Sequence, residues 1–139
     1  MLPRLICVML VLLAMPLQSA EQLIKTTTSW DGGEIAYPEG EAEITAIRLI
    51  AKEGEWAPFH CHPVPTMGYV LSGTVKVQLL NGKESTFGPG DTVVEVMRTI
   101  HRGQGVGGDA ELLVFYAGAR DLPVSFSHGE EDAKAHCKE

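Results

Sequence analysis

Basic residues are scarce in this sequence. Eleven Lys and Arg stand against 18 Asp and Glu in a chain of 139 residues, which gives a formal net charge of −7. Nucleic acids and anionic membrane surfaces attract proteins through clustered positive charge. The composition therefore argues against nucleic acid or an anionic membrane as the partner, and we expect a small-molecule ligand or substrate instead.

The N-terminal apolar run is too short to cross a membrane as a helix. It covers residues 5–15, after Arg4 and before Pro16-Leu17-Gln18-Ser19-Ala20, whereas a spanning helix needs roughly 18 or more apolar residues. One positive charge, a short apolar run and small residues before a cleavage point are typical of a secretory signal peptide. We predict a signal peptide over residues 1–20, a periplasmic or secreted protein, and no stable membrane anchor after cleavage. An uncleaved N-terminal anchor is the alternative.

Cysteine is also rare. Of the three cysteines, Cys7 would leave with the signal peptide, and Cys61 and Cys137 would remain. Exported proteins often pair their cysteines. Because Cys61 lies in a strand motif and Cys137 in a polar segment, the sequence leaves this pairing open.

Convincing helical periodicity is absent downstream of residue 20, and short strand-like segments separated by turn sequences take its place. The strand candidates cover residues 23–29, 44–50, 74–80, 83–87, 92–97 and 110–117. The last of these is a continuous apolar run, which suggests burial on both faces. Asn81-Gly82 is the strongest hairpin signal, since both residues tolerate positive φ. The pattern predicts an all-β, antiparallel barrel or sandwich in a single domain.

The two ends of this domain have different compositions. We expect an N-terminal strand and turns over residues 21–41 and a polar C-terminal tail over residues 119–139. Residues 127–139 are polar and acidic, which predicts a solvated, mobile end. His128, His136 and Cys137 could instead capture a metal ion, although they have no fixed ligand spacing.

The main motif runs from Gly54 to Gly73. Five residues separate Gly54 from His60, and His62 follows two residues later. In a β-strand this spacing puts both imidazoles on one face and the intervening cysteine on the other. A third imidazole, His101, lies downstream of the turn sequence Gly88-Pro89-Gly90-Asp91. Neutral imidazoles on rigid strands favour a divalent transition metal.

These features resemble a small single-domain cupin, whose first motif reads G-x5-H-x-H-x3,4-E-x6-G and whose second carries a Gly-Asp turn with a His about ten residues later. The resemblance implies a jelly-roll cupin barrel over residues 42–118, with His60, His62 and His101 as metal ligands. It also implies a homodimer, which Val94 and Val96 favour because they cannot all point inward.

The chain departs from the family motif at one ligand. Thr66 occupies the position of the metal-binding Glu. Glu95 could replace that carboxylate, because it shares a strand face with Val93 at a position that points into the barrel of similar cupins. The alternative is that Glu95 faces solvent or pairs with Arg98 or Arg102.

Imidazole and carboxylate ligands suit Fe, Ni, Cu, Mn or Zn, and the sequence does not choose among these ions. Nearby side chains could wall a substrate pocket, with Arg102 as a cation near its mouth: Trp56, Phe59, Thr66, Met67, Tyr69, Arg102 and Tyr116. The expected protein is an exported metal-binding cupin with oxygenase, isomerase or lyase chemistry on a small molecule. A non-enzymatic periplasmic protein that binds or senses a small ligand is the alternative.

Overall fold

The computed structural model describes residues 19–138. The predicted signal peptide lies outside this range except for its last two residues. Within the range, no helix is long and apolar enough to cross a membrane. The elements are β1 (Ala42–Ala51), β2 (His60–Cys61), β3 (Thr66–Ser72), β4 (Val75–Leu79), β5 (Glu84–Phe87), β6 (Thr92–Val94), β7 (His101–Gly105), β8 (Ala110–Ala119), β9 (Phe126–Ser127) and α1 (Glu131–His136).

The strands form two sheets. One has the strand order β1-β8-β3-β6 and the other the order β5-β4-β7-β2-β9. Every pairing between these strands is antiparallel. The predicted all-β, antiparallel, single-domain fold is therefore confirmed.

The core lies between the two sheets. Strand β8 pairs with β1 on one side and with β3 on the other, so that Leu112 is opposite both Leu49 and Val70. Residues opposite each other across a ladder point to the same face, and this face is the inner one. The buried cluster consists of Val64, Val70, Val75, Ala110, Leu112, Val114 and Tyr116.

Burial of β8 on both faces was expected, and this expectation is wrong. Leu112 and Val114 are buried on the inner face, but Phe115 on the outer face is 38% exposed. Among the described residues no second layer covers this part of the sheet. A continuous apolar run therefore marks one buried face and one partly exposed face in this strand.

Two glycine-containing turns fix the strand ends that the sequence pattern predicts. At the Asn81-Gly82 hairpin, Gly82 has a φ of 88° and the N–H of Leu79 donates to the carbonyl of Lys83 over 2.8 Å. Gly73 also has positive φ, and a Cβ there would collide with the carbonyl oxygen of Asp109. Only glycine fits at this second position, because any side chain would separate β3 and β4 from the neighbouring chain.

The N-terminal residues differ from the prediction. Residues 23–29 do not form a strand, and only an isolated bridge joins Thr28 to Glu34. The hydroxyl of Thr26 bonds locally to Thr28, which competes with strand pairing. Further along, β6 ends at Val94, and both Val94 and Val96 are buried within one chain. They therefore give no support to a dimer.

The C-terminal residues also differ from the expected solvated end. Strand β9 pairs with β2, and helix α1 buries Ala133 against Cys61, Ile100 and Phe126. A disulfide joins Cys61 to Cys137, with the two Cα atoms 6.0 Å apart. Phe126, Ala133 and Cys137 thus hold the C-terminal segment against the barrel, although the average composition of this segment is polar.

Candidate metal centre and cavity

Three histidines meet on the inner side of the five-stranded sheet. His60 on β2 pairs in register with His101 on β7, and His62 follows β2. The ring centroids are 4.6 Å apart for His60 and His101, 4.9 Å for His60 and His62, and 5.1 Å for His62 and His101. One ring nitrogen from each histidine lies within 4.8 Å of the others. The three imidazoles that the sequence singles out therefore converge on one point.

Backbone carbonyls orient all three rings. Nδ1 of His60 lies 2.8 Å from the carbonyl oxygen of Pro58, and Nδ1 of His101 lies 2.8 Å from that of Thr99. Nδ1 of His62 lies 2.9 Å from the carbonyl oxygen of Val124. A carbonyl oxygen only accepts, so each Nδ1 carries the proton and each Nε2 keeps its lone pair in the neutral ring. This arrangement is the one that imidazole ligands of metal ions show.

Burial keeps the imidazoles neutral. Desolvation lowers the pKa of His60 and His101 and lowers that of His62 to about 3, and mutual repulsion adds to the effect at His60 and His62. A neutral imidazole binds a metal ion without first losing a proton. The site is therefore ready for a cation at neutral pH.

Glu95 brings a carboxylate to the same point. Its Oε2 lies 3.3 Å from Nε2 of His101, yet this buried oxygen makes no hydrogen bond. Desolvation raises the pKa of Glu95 to about 7. Neither Arg98 nor Arg102 forms an ion pair with it among the described residues, since Arg98 is exposed and Arg102 donates to Gln78. The structure thus leaves a carboxylate oxygen and an imidazole nitrogen facing each other, each with a free lone pair.

A divalent transition metal fits these residues. Three neutral imidazole nitrogens and one carboxylate oxygen form a donor set that suits Fe, Mn, Ni, Cu or Zn. A cation between Oε2 of Glu95 and Nε2 of His101 would also satisfy the buried oxygen that has no partner. The chemistry of the four side chains, rather than their number alone, supports the fit.

The histidines line a cavity of about 430 Å³. This volume is in the range of small-molecule sites, roughly 300–1,000 Å³. Part of its wall comes from inward-facing residues of β1, β4 and β8: Leu49, Val75, Val77, Leu112, Val114 and Tyr116. Exposed residues surround the mouth, among them Lys52, Glu55 and Ser125. The cavity is therefore largely apolar, with polar groups at the imidazoles, at Glu95, at the hydroxyls of Thr66 and Tyr116 and at its entrance.

Of the predicted pocket residues, Trp56, Thr66 and Tyr116 line this cavity. Thr66 lies where the family motif has Glu, and its hydroxyl donates to the carbonyl of Val64 over 3.1 Å. Tyr116 lies beside His62, with a centroid separation of 5.4 Å. Burial, and then the nearby Glu95, raise the pKa of the Tyr116 phenol. Its hydroxyl therefore stays protonated at neutral pH.

Phe59, Met67, Tyr69 and Arg102 lie elsewhere, and strand alternation explains each position. Met67 and Tyr69 point outward because Thr66, Gly68 and Val70 point inward on β3. Phe59 packs with Cys61 behind the imidazoles. The Arg102 guanidinium lies 4.3 Å from the ring centroids of both Trp56 and Phe59, and Arg102 does not line the cavity.

Sequence reasoning included Tyr116 in the pocket but not Leu112 or Val114, the other inner residues of β8 that line it, although a signal was present. Leu112, Val114 and Tyr116 alternate along one strand face, and the same period-two rule would have selected them together. No sequence pattern predicted that the carbonyl of Val124 would contact His62. It belongs to a backbone segment 62 residues from His62, and only the folded chain brings the two together.

A protein-family model described as "Cupin domain" matches residues 47–116, which are 70 of the 139 residues. The match includes all three histidines and Glu95. No match was found among curated protein sequences.

Several solved structures share the fold. The DMSP lyase DddQ from Ruegeria pomeroyi is 21% identical with a TM-score of 0.52, and the match covers 72% of this chain and 48% of that one. A cupin-like protein from Thermotoga maritima is 15% identical with a TM-score of 0.52, covering 68% and 74%. An oxalate decarboxylase from Lactobacillus farciminis is 22% identical with a TM-score of 0.52, covering 61% and 26%. The chain spans about half of the lyase and a quarter of the decarboxylase, and identities this low are evidence of fold alone.

Proposed function

The chain belongs to the cupin domain family, and from that premise we propose that it is an exported, metal-dependent enzyme that converts a small oxygenated molecule as an oxygenase, isomerase or lyase. One observation supports this most strongly: three imidazoles, two of them buried, and the Glu95 carboxylate meet at the base of a cavity of about 430 Å³. Two of the fold neighbours are named as a lyase and a decarboxylase. Bond cleavage without a separate nucleophile is therefore among the reactions proposed.

Each residue has a distinct part in this proposal. His60, His62, His101 and Glu95 would hold the ion, and the three backbone carbonyls keep the rings aimed at it. A bound divalent ion would supply Lewis-acid or redox chemistry and open positions for a ligand. The apolar wall excludes water. The Tyr116 hydroxyl, which stays protonated, can donate a hydrogen bond to an oxygen of the bound molecule.

The metal content of protein purified without chelator tests the proposal. We expect about one transition-metal ion per chain by elemental analysis, and loss of that ion in a His60→Ala/His62→Ala double variant that still folds. The strands pair through their backbones, so the variant keeps its β-sheet signal by circular dichroism. His128→Ala is the matched control, because His128 is exposed and outside the cavity. Metal retained by the double variant would place the site elsewhere.

Activity assays then separate the reaction classes. Oxygen uptake by the metal-loaded protein with a panel of small substrates supports an oxygenase, and turnover without oxygen supports an isomerase or lyase. Absence of bound metal would contradict all three.

A binding or sensing protein without turnover is the second candidate. The Thr66 hydroxyl is already bonded to the Val64 carbonyl, and the inner wall of the described cavity is otherwise apolar apart from the Tyr116 phenol and the four proposed ligands. No independent nucleophile is therefore in position there. Ligand binding with no turnover across the substrate panel supports this function.

Export agrees with the disulfide. The Cys61–Cys137 bond belongs to the chemistry of oxidising compartments, where structural disulfides persist. We propose a periplasmic or secreted protein, and mass spectrometry of the soluble exported fraction tests it. Mature protein that begins near residue 21 supports export, whereas intact Met1 at the N-terminus contradicts cleavage.

A further inference from the structure

The cavity wall has very little positive charge to offer a ligand. Among its lining residues in the described range, Lys52 is the one basic side chain. Its ammonium lies 2.6 Å from Oδ2 of Asp109. The carboxylates of Glu55 and Glu95 also line the cavity. The protein therefore supplies two carboxylates and a single, already paired cation.

Arg102, which packs on the cavity-lining Trp56, is engaged outside the cavity. The guanidinium of Arg102 donates to Oε1 of Gln78 over 2.6 and 2.9 Å. It also stacks on the rings of Trp56 and Phe59, with 4.3 Å from its central carbon to each ring centroid. Moving it toward the cavity would break two hydrogen bonds and two cation–π contacts. Arg102 is thus unsuited to bind a substrate carboxylate, although the sequence predicted a cation near the cavity mouth at this position.

We propose that the cavity takes a compact, uncharged molecule with an apolar body and one oxygen donor at the end that meets the histidines, and that it discriminates against carboxylates. An apolar wall favours an apolar body through burial. A carboxylate placed against the same wall, away from an ion at the histidines, would lose its water without gaining a counter-ion, which is costly. The oxygen donor rests on the proposed metal-dependent function, whereas the discrimination against anions rests on the wall alone.

A matched pair of probes tests the discrimination. Benzamide and benzoate have the same ring and a similar planar head group but differ in charge. Each is titrated into the full chain after the metal has been removed with a chelator, and tryptophan fluorescence is followed. Trp56 lines the cavity, while Trp30 packs against Phe87 outside it, so a Trp30→Phe variant assigns the signal. We expect benzamide to bind at least about tenfold more tightly than benzoate.

Two charge variants test whether the lack of a free cation causes the preference for benzamide over benzoate. Asp109→Asn releases Lys52 from its partner, while the amide oxygen can still accept the N–H of Glu53, which Oδ1 of Asp109 accepts over 3.0 Å. In this variant the ratio of benzamide affinity to benzoate affinity should fall at least about threefold, because a free ammonium then lies at the cavity mouth. Glu41→Gln is the matched control. It also removes one negative charge from an exposed ion pair, with Arg120 at 2.8 Å, but neither residue lines the cavity. Its ratio should equal that of the wild type.

The outcomes separate this proposal from the metal-dependent function. Equal or tighter binding of benzoate by the wild type, binding of neither probe, or equal effects of the two charge variants would overturn the substrate class. Metal binding is measured separately by titration with Co²⁺. A chain that prefers benzamide but binds no Co²⁺ contradicts the metal-dependent function and leaves the substrate class standing.

Discussion

Oε2 of Glu95 lies 3.3 Å from Nε2 of His101, and neither atom has a proton to share when Glu95 is ionised and the Nδ1 proton of His101 is held by the carbonyl of Thr99. Two lone pairs at this distance repel unless a cation lies between them. A proton can fill that place, as the raised pKa of Glu95 indicates. A metal ion would fill it more strongly, because it would also contact the other two imidazoles.

Replacement of Glu95 tests this relationship. Glu95→Gln keeps the size of the side chain and removes its charge, so we expect metal affinity to fall by roughly tenfold or more. Titration calorimetry with Zn²⁺ or Co²⁺ measures the change. Adding Thr66→Glu to this variant should restore part of the affinity by returning the carboxylate of the family motif. Glu55→Gln is the control, because Glu55 lines the exposed mouth. Wild-type affinity in Glu95→Gln would indicate a site of three histidines.

Acid should destabilise the metal-free protein through His62. Its pKa is about 3 in the folded chain against an ordinary value of 6.5. Between these pH values His62 binds a proton in the unfolded state but not in the folded state. Its contribution to the free energy of unfolding is therefore full above about pH 6.5 and falls as the pH is lowered toward 3. We expect the loss to reach a few kcal/mol, measured by urea unfolding across this range.

Glu95 acts in the opposite direction, and a difference measurement removes its effect. Its raised pKa means that the folded chain keeps a proton between about pH 4.5 and 7, so its contribution to stability declines as pH rises through that window. A His62→Gln variant retains Glu95, and the wild type should lose more stability in acid than this variant does. His128→Gln should behave as the wild type. Parallel pH profiles for wild type and His62→Gln would contradict the assignment.

The disulfide should contribute substantially to stability. Cys61 and Cys137 are 76 positions apart, and closing a loop of this length is worth about 3–5 kcal/mol in the chain-entropy account. Cys137→Ser should lower the free energy of unfolding by this amount under oxidising conditions. A reducing agent should bring the wild type to the level of the variant and leave the variant itself unchanged. A reduced wild type that is as stable as the oxidised protein would show that the C-terminal segment holds itself in place.

A homodimer remains a prediction, now on different grounds. Val94 and Val96 are buried, but Ile44 is 69% exposed, Ile50 45% and Phe115 38% on the outer face of the four-stranded sheet. Exposed apolar faces of this kind favour association. We expect a dimeric mass by light scattering at micromolar concentration and a shift toward monomer in Ile44→Glu. Thr86→Glu, on exposed β5 in the other sheet, should stay dimeric. A monomeric wild type would contradict the prediction.

Local sequence signals predicted much of the fold. β-Branched segments and the Asn81-Gly82 hairpin indicated most strands of the two sheets, and the motif spacing brought His60, His62 and His101 together. The errors arose where neighbouring residues were assigned to the pocket without regard to strand alternation, as for Met67 and Tyr69. The support of His62 by Val124 could not be predicted, since it depends on a contact between distant backbone segments.

Because of the position of β2, the three-histidine site is complete only after the C-terminal residues have been synthesised. This two-residue strand lies between β7 and β9, so His60 gains its second neighbour only after residues 126–127 have been made. A nascent chain that stops at Ala119 contains all three histidines and eight of the nine described strands, but it lacks the carbonyl that orients His62. Contacts between distant parts of a chain form late because their loops must close first. A chain that ends before Val124 is therefore expected to bind a metal ion more weakly than the full-length chain does.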